Sequence, residues 1–106
     1  MYSMQLYIGE AYIPRKREIV KFYTVKVDDV IEFFQSEQFK KWLDKNGHKA
    51  TNVNKSLNYN QTTEIFFNGV KSLKEQGKDK LNTRIMFKNF KSLFGKLIEF
   101  KSCSTK

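Results

Sequence analysis

Between residues 84 and 100 the side chains of Met86, Phe90, Leu93, Phe94 and Leu97 recur at helical spacing and project within about 100° of arc. Phe87, Ile98 and Phe100 widen that stripe, while Arg84, Lys88 and Lys91 stack on the opposite side with Ser92, Lys96 and Glu99 beside them. The spacing predicts one amphipathic helix over 84–100. A stripe this apolar must be covered by another layer, so the rest of the chain has to supply one.

Two segments near the N-terminus can do so. Met4-Gln5-Leu6-Tyr7-Ile8 alternates, and Ile19-Val20-Lys21-Phe22-Tyr23-Thr24-Val25 is rich in β-branched and aromatic residues, so both read as strands. Pro14-Arg15-Lys16-Arg17 between them reads as a turn, which predicts an antiparallel hairpin with a basic tip. Two strands alone are marginal, so helices are expected to cover one of their faces.

Asp28-Asp29 suits a helix start. Val30, Ile31 and Phe34 then share a face, but Phe39, Trp42 and Leu43 face well over 100° away, so a break is expected near Gln35-Ser36 with Ser36 capping the second piece. Asn46-Gly47 reads as its end. Val53 and Leu57 suggest a short helix over 52–57, closed by Asn58; Thr62 or Thr63 would cap the next one, with Ile65, Phe66, Val70 and Leu73 facing inward and Gly77 ending it. The expected class is α+β: a hairpin packed against four or five helices in one domain over 1–101, with a frayed tail over 102–106.

The chain has 106 residues, of which 40% are hydrophobic and 15% aromatic, enough for one core and too few for two. No apolar run approaches the roughly 20 residues of a membrane span, and residues 1–9 lack a signal-peptide profile. The lone Cys103 excludes an internal disulfide framework. These features read as a cytoplasmic protein. His48 is the single histidine, the five glycines are scattered, and Glu99-Phe100-Lys101 offers only a short nuclease-like spacing, so neither catalysis nor a cofactor is expected.

Charge is more informative. The formal net charge is +9; residues 1–48 hold eight basic and seven acidic side chains, whereas residues 49–106 hold twelve and four. That asymmetry predicts an electropositive side that attracts a polyanion. Lys80, Arg84, Lys88 and Lys91 form the expected phosphate-anchoring row. The stretch 51–71 resembles helix-turn-helix spacing, which would set Gln61, Thr62, Thr63, Asn68 and Lys71 near base edges. Arg15 and Arg17 at the hairpin tip would track phosphates, and Tyr2, Tyr7, Tyr12 and Tyr23 are candidates for base stacking. The expected function is non-enzymatic binding of nucleic acid, of double-stranded DNA in particular, in a regulatory or accessory role. The alternative is a phage or mobile-element accessory protein that grips a host protein through Trp42, Phe33 or Tyr59. A lipid-surface role for 84–101 is disfavoured, because lifting that segment out would remove much of the core.

Overall fold

In a computed structural model that describes residues 2–83 and 85–102, the two ends of the chain pair with each other. Strand β1 (Tyr2–Gln5) lies parallel to β4 (Ile98–Lys101), with Tyr2 opposite Ile98 and Met4 opposite Phe100. The Leu6 amide extends the ladder by donating to the Lys101 carbonyl at 2.8 Å. A second two-stranded sheet pairs β2 (Tyr7–Ile13) antiparallel with β3 (Glu18–Thr24). Four α-helices complete a mixed α+β fold: α1 (Val27–Phe34), α2 (Glu37–Asn46), α3 (Tyr59–Glu75) and α4 (Met86–Phe94).

The expected break between the first two helices is present. Ser36 caps α2, its hydroxyl accepting from the Phe39 amide at 3.2 Å, and the chain turns so that both apolar faces reach one core. That core is a phenylalanine cluster. Phe33, Phe34, Phe39, Phe90 and Phe94 are all buried, with ring centroids 4.9 Å apart for Phe33–Phe39 and 5.4 Å for both Phe34–Phe94 and Phe39–Phe94. Phe33 and Phe34 are neighbours in sequence yet both inside, because α1 is sandwiched between α3 and the remaining helices.

Four expectations are corrected. The 84–100 helix is divided: α4 stops at Phe94, a single 3₁₀ turn spans Gly95–Leu97, and Ile98–Lys101 is a strand. Ile98 and Phe100 fit the helical stripe, but they fit an alternating strand equally well, and pairing with β1 satisfies their backbone groups. Residues 52–57 form no helix. The Thr51 hydroxyl donates to the Asn54 carbonyl and accepts from the Asn54 amide, and the Asn54 side chain accepts from the Ser56 amide, so short polar side chains hold a loop. The Ala50–Asn58 bridge closes it. Asn58 therefore begins a helix instead of ending one: it and Gln61 form a reciprocal capping box that starts α3 three residues before Thr62. Finally, the first strand is not continuous over 4–8. It divides at Leu6, and the two halves join different sheets.

Gly77 ends α3 as expected, in a left-handed conformation with φ of 80°. Lys78 donates to the Leu73 carbonyl and Gly77 to that of Lys74, a complete Schellman closure. Gly47 ends α2 with an ordinary right-handed φ of −60°; a side chain there would overlap the amide of Asn60. Gly77→Ala is expected to cost about 1 kcal/mol, because an L-residue must hold the left-handed backbone. Gly95→Ala sits at φ −59° with Lys91 no nearer than 3.9 Å and is expected to leave stability level or slightly higher. Urea melts of the two variants check this contrast.

Candidate nucleic-acid interface

The β2–β3 ribbon leaves the helical body, drawing the molecule out to 44 Å along one axis against 30 and 26 Å along the others. Its root is fixed by the segment before α4: the buried Thr24 hydroxyl donates to the Leu81 carbonyl at 3.0 Å, and the Leu81 amide donates to the Val25 carbonyl at 3.1 Å. Thr83 then passes beneath the ribbon at Gly9, where a Cβ would strike the Thr83 methyl. Glycine is needed at position 9 for that approach.

This crossing makes two grooves, one on each side of Thr83. The larger, of about 790 Å³, runs along β2 and includes Glu10 and Lys80. The other, of about 620 Å³, lies between β3 and α4 and is lined by Phe22, Tyr23, Thr83, Phe87, Lys88, Lys91 and Ser92. Among the described residues its lining holds two lysines, three aromatic residues and no carboxylate. Lys88 and Lys91 are one helical turn apart on α4, both exposed, and the Lys91 ammonium sits 5.9 Å from the Phe87 ring centre.

The expected site residues divide among several surfaces. Lys88 and Lys91 meet in the second groove. Lys80 precedes α4 in a bridge to Lys26, pairs with Asp79 at 3.7 Å, and stands 6.0 Å from the Tyr7 ring, which Lys26 approaches at 4.8 Å. It therefore does not continue the helical row. Arg84 lies outside the described residues, as does Cys103. Arg15 and Arg17 are exposed at the ribbon tip with Lys16 between them. Arg17 adopts φ 54°, a conformation that glycine takes more cheaply.

The residues expected near base edges lie on α3 and line neither groove. The Gln61 side chain is engaged in the capping box, and the Thr62 hydroxyl, like that of Thr63, is buried with no hydrogen-bond partner among the described residues. Asn68 and Lys71 are exposed, with the Lys71 ammonium 5.4 Å from the Phe67 ring. With no helix over 52–57, helix-turn-helix geometry is absent from this stretch. The four tyrosines likewise share no platform. Tyr2 packs edge-on against Phe33 at 5.2 Å, Tyr7 faces the ribbon's inner side, and only Tyr12 and Tyr23 share its outer face. Phe33 and Tyr59 are buried and Trp42 is half-buried, so the protein-gripping patch expected from them does not exist. Phe22 and Thr83 are the lining residues that sequence reasoning missed. Alternation in 19–25 shows that Phe22 and Tyr23 point to opposite faces, but not which segment lies beneath.

Three carboxylates, Asp28, Asp29 and Glu32, lie together on α1. Burial, the Glu32 carboxylate and to a lesser degree Asp28 raise the Asp29 carboxyl above its ordinary value, against the pull of Lys26. Burial, then Glu32 and Asp29, raise the Tyr2 phenol. Folded Asp29 thus holds its proton more tightly than the unfolded chain does, so its contribution to stability is complete at low pH and is lost as pH rises through the elevated value. Glu32→Gln is expected to lower both pKa values and shrink that loss, as read by NMR-monitored titration; an unmoved Tyr2 would separate the phenol from the acidic cluster.

Family models, curated proteins and solved structures contain no match to this chain. No described helix is long and apolar enough to cross a membrane.

Proposed function

We propose that the protein binds nucleic acid without catalysing a reaction on it, and that an unpaired strand lies in the groove between β3 and α4. The observation that carries this reading is the lining of that groove: Lys88 and Lys91 supply cations, Phe22, Tyr23 and Phe87 supply aromatic surface, and among the described residues no acidic side chain opposes a phosphate. Cationic and aromatic side chains together are what single strands require, because phosphates need neutralising and unstacked bases need a flat apolar partner. A rigid duplex would present its phosphates and bury its bases, leaving the aromatic wall unused. The double-stranded DNA expected from helix-turn-helix spacing has correspondingly less to support it.

The ribbon tip extends the site. Arg15, Lys16 and Arg17 lie five to eight residues from Phe22 and Tyr23 along β3, a span of about 20 Å in extended chain. The chain holds arginine at a left-handed position where glycine would relieve about 1 kcal/mol or more of strain. That placement supports a role for the side chain beyond closing the turn. Lys80, tied to Asp79 and Tyr7, is assigned a minor part.

Five cations, at Arg15, Lys16, Arg17, Lys88 and Lys91, set the expected salt response. With a slope of about −0.7 per phosphate on a single strand, affinity should fall about 10²-fold between about 50 and 200 mM salt. Lys88→Glu/Lys91→Glu is expected to weaken binding of a labelled single strand at least tenfold while leaving the thermal melt nearly unchanged, since both side chains are exposed. Fluorescence anisotropy with a single strand and a duplex of matched sequence checks both points. Affinity that is flat in salt, or equal in the double variant, removes the groove as the site; tighter binding of the duplex restores the double-stranded reading.

A further inference from the structure

The ribbon's outer face is a second surface, which shares Tyr23 with the groove beside α4 and Ile8, Glu10 and Tyr12 with the groove along β2. Antiparallel register puts three cross-strand pairs on it: Ile8 with Tyr23, Glu10 with Lys21, and Tyr12 with Ile19. The four apolar members are 55%, 51%, 57% and 63% exposed in the order Ile8, Tyr23, Tyr12, Ile19. Side chains of this size each place on the order of 100 Å² in water, so together they make an apolar patch of several hundred Å², the size at which exposed patches on monomers are commonly functional. The two charges at its centre face each other across the strands, yet neither closes an ion pair among the described residues.

We propose that this face is covered by a second copy of the chain, packed ribbon on ribbon about a two-fold axis parallel to the strands. The occupant follows from the arrangement of the pairs. A two-fold along the strands exchanges β2 for β3 of the partner, so Glu10 meets the second copy's lysine and Lys21 its glutamate. Ile8 falls on a tyrosine, and Tyr12 on an isoleucine, so large and smaller side chains alternate across the contact. An axis at right angles, across the strands, would instead stack Glu10 on its own copy and Lys21 on its own. Only self-complementary surfaces close as symmetric dimers, and the first axis makes this one self-complementary in both charge and volume. Aligned face-to-face sheet packing tolerates the offset that ribbon twist imposes. In this arrangement the inner faces, including Phe22, Phe87, Lys88 and Lys91 of the groove beside α4, stay open, Tyr23 is shared between that groove and the contact, and the two basic tips lie at the same end.

Sedimentation velocity of the full chain over a range of concentrations tests the assignment. A reversible monomer–dimer equilibrium is expected. Ile19→Lys should abolish the dimer, and Glu10→Lys or Lys21→Glu alone should weaken it about tenfold, since the symmetric contact places each change twice. The combined Glu10→Lys/Lys21→Glu variant should recover dimerisation, because the pairing is restored with its sign reversed. Circular dichroism on each variant separates loss of the dimer from loss of the fold. A wild-type chain that stays monomeric at about 100 μM overturns the proposal. So does a folded double variant that stays monomeric, or a dimer indifferent to Ile19→Lys. Monomeric behaviour combined with tight strand binding would leave the groove reading standing without the dimer.

Discussion

Packing of phenylalanine on phenylalanine is the interaction on which the rest of the structure depends. Phe33 and Phe34 come from α1, Phe39 from α2, and Phe90 and Phe94 from α4, so one cluster ties three helices, and Phe66 brings in α3 by stacking on Phe90 at 5.7 Å. Rings this close cannot be shortened or shifted singly without opening a void, because interiors tolerate little free volume. The break at Gln35-Ser36 follows from the same demand: a straight helix could bury Phe34 or Phe39 against α4, but not both.

With the helical body using its apolar side chains on itself, the ribbon is left with little to pack against. Its inner face is served by the 81–83 segment and the start of α4, which is why Gly9 and Thr83 meet so closely. The outer face keeps Ile8, Tyr12, Ile19 and Tyr23 more than half exposed. Two kinds of surface result on one element: an inner groove where aromatic and cationic side chains adjoin, and an outer patch that is apolar with one unclosed charge pair. Electrostatics divide along similar lines. Two second-half lysines are paired locally, Lys74 with Asp28 and Lys80 with Asp79, whereas among the described residues no carboxylate lines the groove with Lys88 and Lys91.

Legibility in the sequence tracked how local the deciding interaction is. Ser36 as a cap, the acidic first turn of α1, the Gly77 terminus and the basic hairpin tip all depend on neighbours within four residues, and each was readable. The 52–57 segment misled because Val53 and Leu57 have helical spacing, while the hydrogen bonds of Thr51 and Asn54 that oppose a helix are not part of any hydrophobic pattern. Lys88 and Lys91 were recognisable as a pair on one helix; that Phe22 would face them was not, since some sixty residues separate the two.

The sequence by itself determined the class of the fold, several helix ends and the excess of positive charge, because these rest on residue chemistry and on spacing within a turn or two. Tertiary structure alone decided that the tail of the apolar stripe would be a strand, that the two ends would pair in parallel, and which lysines would share a groove. A parallel partner for Ile98–Lys101 lies more than ninety residues away at Tyr2–Gln5, and a periodic pattern carries no information about a hydrogen-bonding partner at that distance.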